Sequence, residues 1–218
     1  MTKQVFSKPF TQQEAIPEAG IARAVEIMKT GRLHRYNLLP DEAGEAAALE
    51  MEYAKWQGTD YCIACTSGGY AIQLGLRVCG VKPGDKVLAN AYTLAPVPGA
   101  IHNVGGVPVL VDIDDSYHID CYDLDVKAAA SGAKYLLLSY MRGHIPDMDK
   151  LLAVCAKYDI CLIEDCAHTM GAKWRGIRSG NFGKVAAFST QTYKHMNSGE
   201  GGFLTTNDAE LAARAVVS

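Results

Sequence analysis

Six short apolar runs, at residues 61–65, 86–89, 107–111, 135–138, 161–163 and 185–188, set the terms on which this chain folds. They are continuously apolar rather than alternating, the pattern of strands covered on both faces. Helical stretches separate most of them, at 69–79, 93–103, 122–130 and 147–158. Such alternation predicts a mainly parallel sheet with helices on both faces, and 202–206 reads as one more strand. Ligands of open α/β sheets bind beyond the carboxyl ends of the strands. Asp165 and the segment 66–70 both fall at such ends, so chemistry is expected there.

Upstream of the sheet the signals are weaker. Residues 1–20 read as an extended arm broken by Pro9 and Pro17. A short amphipathic helix follows over 21–29 and ends at Gly31. Residues 32–40 are polar and aromatic with no period, and Asp41 is placed to cap a helix running to about residue 56.

Composition narrows the functional classes. A length of 218 residues suits one well-filled domain. A formal charge of −3 gives no reason to expect nucleic acid or an anionic membrane as partner. No apolar run is long enough for a membrane span, and the N-terminal residues lack an apolar signal core, so a cytoplasmic protein is expected. Cys62 and Cys65 have C-x-x-C spacing, but no second pair accompanies them and both lie within an apparent strand. Free thiols are therefore expected for the seven cysteines, with no metal site.

The chemistry concentrates in residues 163–202. Asp165 closes one apolar run, and Lys194 follows another, ahead of the glycine-rich turn at 199–202. An acid at one strand end and an amine near the next suit pyridoxal phosphate (PLP), which needs a covalent amine anchor and a carboxylate against its pyridine nitrogen. Thr66-Ser67-Gly68-Gly69, opening a helix after the first strand, can hold a phosphate on backbone N–H groups. The absence of G-x-G-x-x-G there counts against a dinucleotide site.

The order of these pieces resembles the DegT/StrS-type nucleotide-sugar aminotransferases, a branch of fold-type I PLP enzymes. Their signature runs E-D-x-A-(Q/H)-x-x-G-A, then G-x-x-G, F-S and K-x-x-x-x-G-E-G-G. Here these elements lie at 164–172, 180–183, 188–189 and 194–202, and the likeness extends upstream to about residue 20. The resemblance implies a large domain with a sheet of about seven strands, one of them antiparallel. It implies that Lys194 is the Schiff-base lysine and proton shuttle, and that Asp165 pairs with the pyridinium nitrogen. Ser67, Gly68, Gly69 and Ser189 would hold the phosphate. Leu94 stands where the family carries an aromatic residue over the ring, with Tyr92 nearby as a possible substitute. Gly69 and Tyr70 also depart from the usual S-G-T-(A/S).

Two readings stay open for several residues. His168, at the Gln/His position, either lies against the ring or its 3′-oxygen, or is a polar core histidine. Arg35, Tyr36, Tyr140 and Arg142 are candidate substrate contacts; solvated connections are the alternative. Glu200 either shapes the glycine turn or faces solvent.

The resemblance implies conversion of a keto-sugar, nucleotide-linked, to an amino-sugar with glutamate or glutamine as donor, in a homodimer. A lysine rather than a histidine at 194 points to transamination instead of dehydration. The alternatives are a cyclitol or other non-sugar ketone as acceptor, or a truncated, non-catalytic PLP-binding module. Relatives continue into a smaller C-terminal domain, whereas this sequence ends within an apparent helix at 209–217, so residues 21–218 are expected to be the PLP-binding large domain alone.

Overall fold

The computed structural model describes residues 15–36, 38–39 and 44–218, together with Ser7 and Gln13. Helices α1 (Glu18–Thr30) and α2 (Glu45–Gln57) precede the sheet. The chain then alternates: β1 (Tyr61–Cys65), α3 (Gly68–Val78), β2 (Lys86–Asn90), α4 (Pro96–Asn103), β3 (Val107–Val111), α5 (Cys121–Ser131), β4 (Tyr135–Ser139), α6 (Met148–Tyr158) and β5 (Cys161–Asp165). A small hairpin, β6 (Lys173–Trp174) and β7 (Ile177–Arg178), leads to β8 (Val185–Ser189), β9 (Gly202–Thr206) and α7 (Ala209–Val217).

Seven strands form one sheet in the order β1-β9-β8-β5-β4-β2-β3. Strand β9 runs antiparallel to both its neighbours, and the other pairings are parallel. Side chains leave successive strand residues on opposite faces, and β4 shows the consequence. Leu136 and Leu138 join a core with α2, α5 and α6, while Leu137 joins another with α3, α4 and α7. All three are fully covered, each side chain contributing about 1.5–3 kcal/mol by burial. Helix α3 lies tight on its face: a Cβ at Gly75 would sit 3.2 Å from Val185 and 3.3 Å from Leu204.

The connections place the ligand crevice. From β2 the chain moves outward to β3, whereas from β4 it moves the other way to β5, so the order reverses between β2 and β4. Their parallel ladder stops at Ala89 and Leu137. Beyond it the Asn90 side chain bridges the gap. Its Nδ2 donates to Ser139 O (3.1 Å), and Ser139 N donates to its Oδ1 (2.9 Å).

Several expectations need correction. Helix α1 begins at Glu18, directly after Pro17, so the last three residues assigned to the arm are helical. The proposed cap Asp41 and Pro9 lie outside the described residues; α2 starts at Glu45 behind Gly44, which offers no side-chain cap. Helix α4 starts at Pro96 rather than residue 93, because proline's fixed φ and missing donor suit a first helical turn. The β6–β7 hairpin was not anticipated; two-residue strands carry no periodicity. Cys62 and Cys65 lie in β1 as free thiols, like the other five cysteines. Among the described residues no His/Cys/Asp/Glu group has a metal-site arrangement, and no helix is long and apolar enough to cross a membrane.

Candidate active site

A cleft of about 360 Å³ opens at the carboxyl ends of the central strands. It gathers Ser67, Gly68 and Gly69 from the start of α3, Leu94 from the β2–α4 connection, Pro96 from the start of α4, and Ser139 from β4. Asp165 and His168 come from the end of β5, and Ser189, Gln191, Lys194 and Glu200 from the β8–β9 connection. Every residue that the resemblance assigns to the cofactor therefore lines one space.

Asp165 is 8% exposed. Its Oδ1 accepts from Ala167 N (3.1 Å), and its Oδ2 accepts from Ser139 Oγ (2.9 Å). Burial pushes the carboxyl upward, and the Ala167 amide, Ser139 and nearby Lys194 pull it back. Two donors on two oxygens fix the carboxylate plane. Residues 166–172 are not helical, so the bond from Ala167 N to Asp165 closes a turn.

The phosphate cradle is set by glycine. A Cβ at Gly68 would lie 2.6 Å from Ser189 Cβ, and one at Gly202 would lie 2.6 Å from Phe188 O and 2.7 Å from Gly68 N. The helix start and the two strand ends can approach only because those side chains are missing. Ser67 caps α3 by accepting from Tyr70 N (3.0 Å), and Ser189 Oγ accepts from Gln191 N (3.3 Å). Each hydroxyl oxygen thus already accepts one bond and keeps its proton to donate. Two hydroxyls and the first amides of α3 make a donor-rich corner that suits an anion. Tyr70 is 36% exposed on α3, away from the lining.

Lys194 is half-buried on a laced loop. Thr190 N donates to Gly201 O (3.0 Å), Thr192 N to Gly199 O (3.0 Å) and Lys194 N to Gln191 O (2.8 Å), while the Thr190 and Ser198 hydroxyls meet at 2.7 Å. Gly199 takes φ 83°, which only glycine adopts freely. Burial lowers the Lys194 ammonium below its ordinary range, Arg142 adds to this and Asp165 opposes it.

The candidate substrate residues do not converge on this cleft. Tyr140 is a correction: it is 1% exposed, and its hydroxyl donates to buried Glu164 (2.6 Å) instead of facing a substrate. Arg35 and Tyr36 are exposed on the α1–α2 connection; the Arg35 guanidinium holds Glu50 (2.7 and 2.8 Å), and the Tyr36 ring stacks on His34. Arg142 touches the site through its backbone, whose N–H donates to His168 Nδ1 (3.1 Å). Leu94 lines the cleft, whereas the Tyr92 ring turns to Tyr117 (5.3 Å between centroids). Glu200 faces the cleft and not only solvent.

Sequence reasoning missed Ser139 and Asn90. Both are short polar residues ending strands, which read as turn formers. Their position at the same sheet edge as Asp165 was the available signal, since Ser139 pairs in register with Asp165.

The architecture that frames this cleft is that of the fold-type I transferase large domain. Superposition agrees: the crystal structure of 3-amino-5-hydroxybenzoic acid synthase matches with a TM-score of 0.87 at 30% identity, over 96% of this chain and 54% of that one. An aminotransferase from Psychrobacter cryohalolentis matches with a TM-score of 0.87 at 26% identity, over 95% and 52%.

The chain belongs to the DegT/DnrJ/EryC1/StrS aminotransferase family, whose model matches residues 18–217. It is 36% identical over 167 residues to GDP-perosamine synthase of Caulobacter vibrioides, covering 76% of this chain and 45% of that protein. It is 31% identical over 201 residues to L-glutamine:2-deoxy-scyllo-inosose aminotransferase of Streptomyces lividus, covering 91% and 47%. The chain thus spans less than half the length of these two relatives.

Proposed function

We propose that this chain carries the cofactor-binding half of a PLP-dependent aminotransferase that converts a cyclic ketone, a nucleotide-linked keto-sugar, to the amine, with glutamate or glutamine as donor. The observation that carries this reading is the sharing of one cleft by Lys194, Asp165 and the donor-rich corner. When bound, PLP supplies an electron sink for the negative charge that develops at the donor's α-carbon. Ser67, Gly68, Gly69 and Ser189 hold its phosphate. Asp165 keeps the ring nitrogen protonated, its plane fixed by Ala167 and Ser139. Leu94, in the cleft lining, would offer the ring dispersion contact alone. The Lys194 amine is the covalent anchor and moves a proton to and from the reacting carbon. A cyclitol acceptor is the second reading, supported by the likeness to the scyllo-inosose enzyme.

The test is a PLP titration followed by borohydride reduction and peptide mapping, with and without prior glutamate or glutamine. A reduced adduct on Lys194 that an amino donor abolishes is the expected result. No adduct, or one on another lysine, overturns the reading. Asp165→Asn separates cofactor capture from chemistry. It keeps the shape and removes the charge, so the Lys194 adduct should persist while the single-turnover half-reaction slows by about 10²–10³-fold, the usual scale for losing one preorganised electrostatic partner. An unchanged rate would remove Asp165 from its role.

A further inference from the structure

The protonation state of Lys194 follows from the direction of two hydrogen bonds. Arg142 sits in the left-handed region (φ 57°, ψ 20°) within a 3₁₀ turn, and this conformation turns its N–H onto His168 Nδ1 (3.1 Å). An amide N–H can only donate, so Nδ1 is the acceptor and carries no proton. A neutral imidazole then holds its proton on Nε2, which lies 2.7 Å from Lys194 Nζ. An ammonium at that distance would set donor against donor. The opposite tautomer, and the imidazolium, would set Nδ1–H against the Arg142 amide. One arrangement remains: Nε2–H donates to the lone pair of a neutral amine.

We infer that the Arg142 amide and His168 form a positioning pair that holds Lys194 as a free amine before the cofactor arrives. This rests on the reading of Lys194 as the covalent anchor, since an ammonium cannot attack an aldehyde. The surroundings of both groups agree. His168 is pushed down to about 4, by burial first, with Arg142 and His195 adding to it. Lys194 is lowered by burial and Arg142 against the pull of Asp165. Glu200 is the other charged group in the lining, besides Lys194 itself and Asp165.

Glutamine at 168 reproduces the pattern: its carbonyl oxygen accepts from Arg142 and its amide donates to Lys194. Leucine keeps the burial and supplies neither. The experiment is trace acetylation of the full cofactor-free chain with acetic anhydride across pH, read by mass spectrometry at Lys194 against exposed Lys150. Wild type and His168→Gln should both acetylate Lys194 with a midpoint well below that of Lys150. His168→Leu should raise the midpoint by about one unit, slowing Lys194 acetylation near neutral pH about tenfold. A His168→Leu profile equal to wild type would mean that burial alone sets the amine, and the inference would fall. It would fall equally if His168→Gln moved as far as His168→Leu. Should His168→Leu fail to fold, ¹⁵N shifts of His168 in the wild-type chain decide instead: protonated Nε2 supports the pair and protonated Nδ1 overturns it. Adduct mapping on the same samples tests the anchor separately. A PLP adduct on another lysine defeats that reading whatever the acetylation profile shows.

Discussion

Replacing Lys194 with alanine is expected to abolish the borohydride-trapped PLP adduct and to slow the half-reaction with glutamate or glutamine by at least about 10²–10⁴-fold, the range attributable to one positioned acid–base group. Both roles proposed for the residue belong to its terminal amine, so no other side chain in the cleft compensates. Asp165 and Glu200 can accept a proton but cannot bond to an aldehyde carbon as an amine does. His168 keeps its Nδ1 on the Arg142 amide, and a neutral imidazole is no substitute for the primary amine that the covalent anchor requires. The fold should tolerate the change. The amine makes one side-chain hydrogen bond, to His168, so the loss in stability should stay near 1 kcal/mol. Single-turnover absorbance and intact-mass measurement after reduction check the first part, and urea denaturation checks the second. A trapped adduct retained in Lys194→Ala would reassign the anchor.

Glu164→Ala is expected to cost about 3–5 kcal/mol of folding free energy, because a fully buried acceptor would vanish beneath several donors. Glu164 Oε2 accepts from Tyr140 OH (2.6 Å) and Gly180 N (2.8 Å), while Oε1 accepts from Phe182 N (2.8 Å) and Gly183 N (2.6 Å). The backbone whose donors it serves is tightly packed. A Cβ at Gly183 would meet Leu162 O at 2.5 Å, and one at Gly180 would meet Phe188 Cζ at 2.6 Å. The residue thus ties the segment before β8 to β5 directly beside Asp165. Because the alanine variant loosens that segment, its PLP affinity should fall along with its urea midpoint. Glu164→Gln, which keeps a carbonyl acceptor but turns an amide toward two of the donors, should fall between alanine and wild type. A loss under about 1 kcal/mol in Glu164→Ala would show that the segment holds without it.

Much of this could be read from residue order, for identifiable reasons. The strands were legible because runs such as 135–138 and 185–188 are apolar without interruption, and only burial on both faces permits that. Lys194 and Asp165 were legible because each stands just beyond such a run, with glycines that the backbone contacts demand. Tyr140 was misread because an aromatic residue with a polar tip fits a site mouth and a core equally well. Its partner, Glu164, lies on the neighbouring strand, and no local pattern links them. Arg142 was read as a substrate contact, yet its hydrogen bond into the site comes from a backbone N–H, which every residue but proline has. Ser139 and Asn90 gain meaning only once β2 and β4 are adjacent, a fact of topology rather than of composition.

The antiparallel β9 carries a consequence for biosynthesis. Within the sheet, β1 pairs with β9 alone, residue 61 with 206 and residue 65 with 202. Residues 66–69 follow β1 directly, and Gly202 packs on Gly68. The anion corner at 67–69 is thus made early on the ribosome but acquires its wall only when the far end of the sheet has emerged. Until then β1 exposes an unpaired edge, and the entropy of closing so long a loop must be met before the pairing rewards it. A nascent chain halted before residue 202 would leave β1 unzipped and the anion corner without its wall.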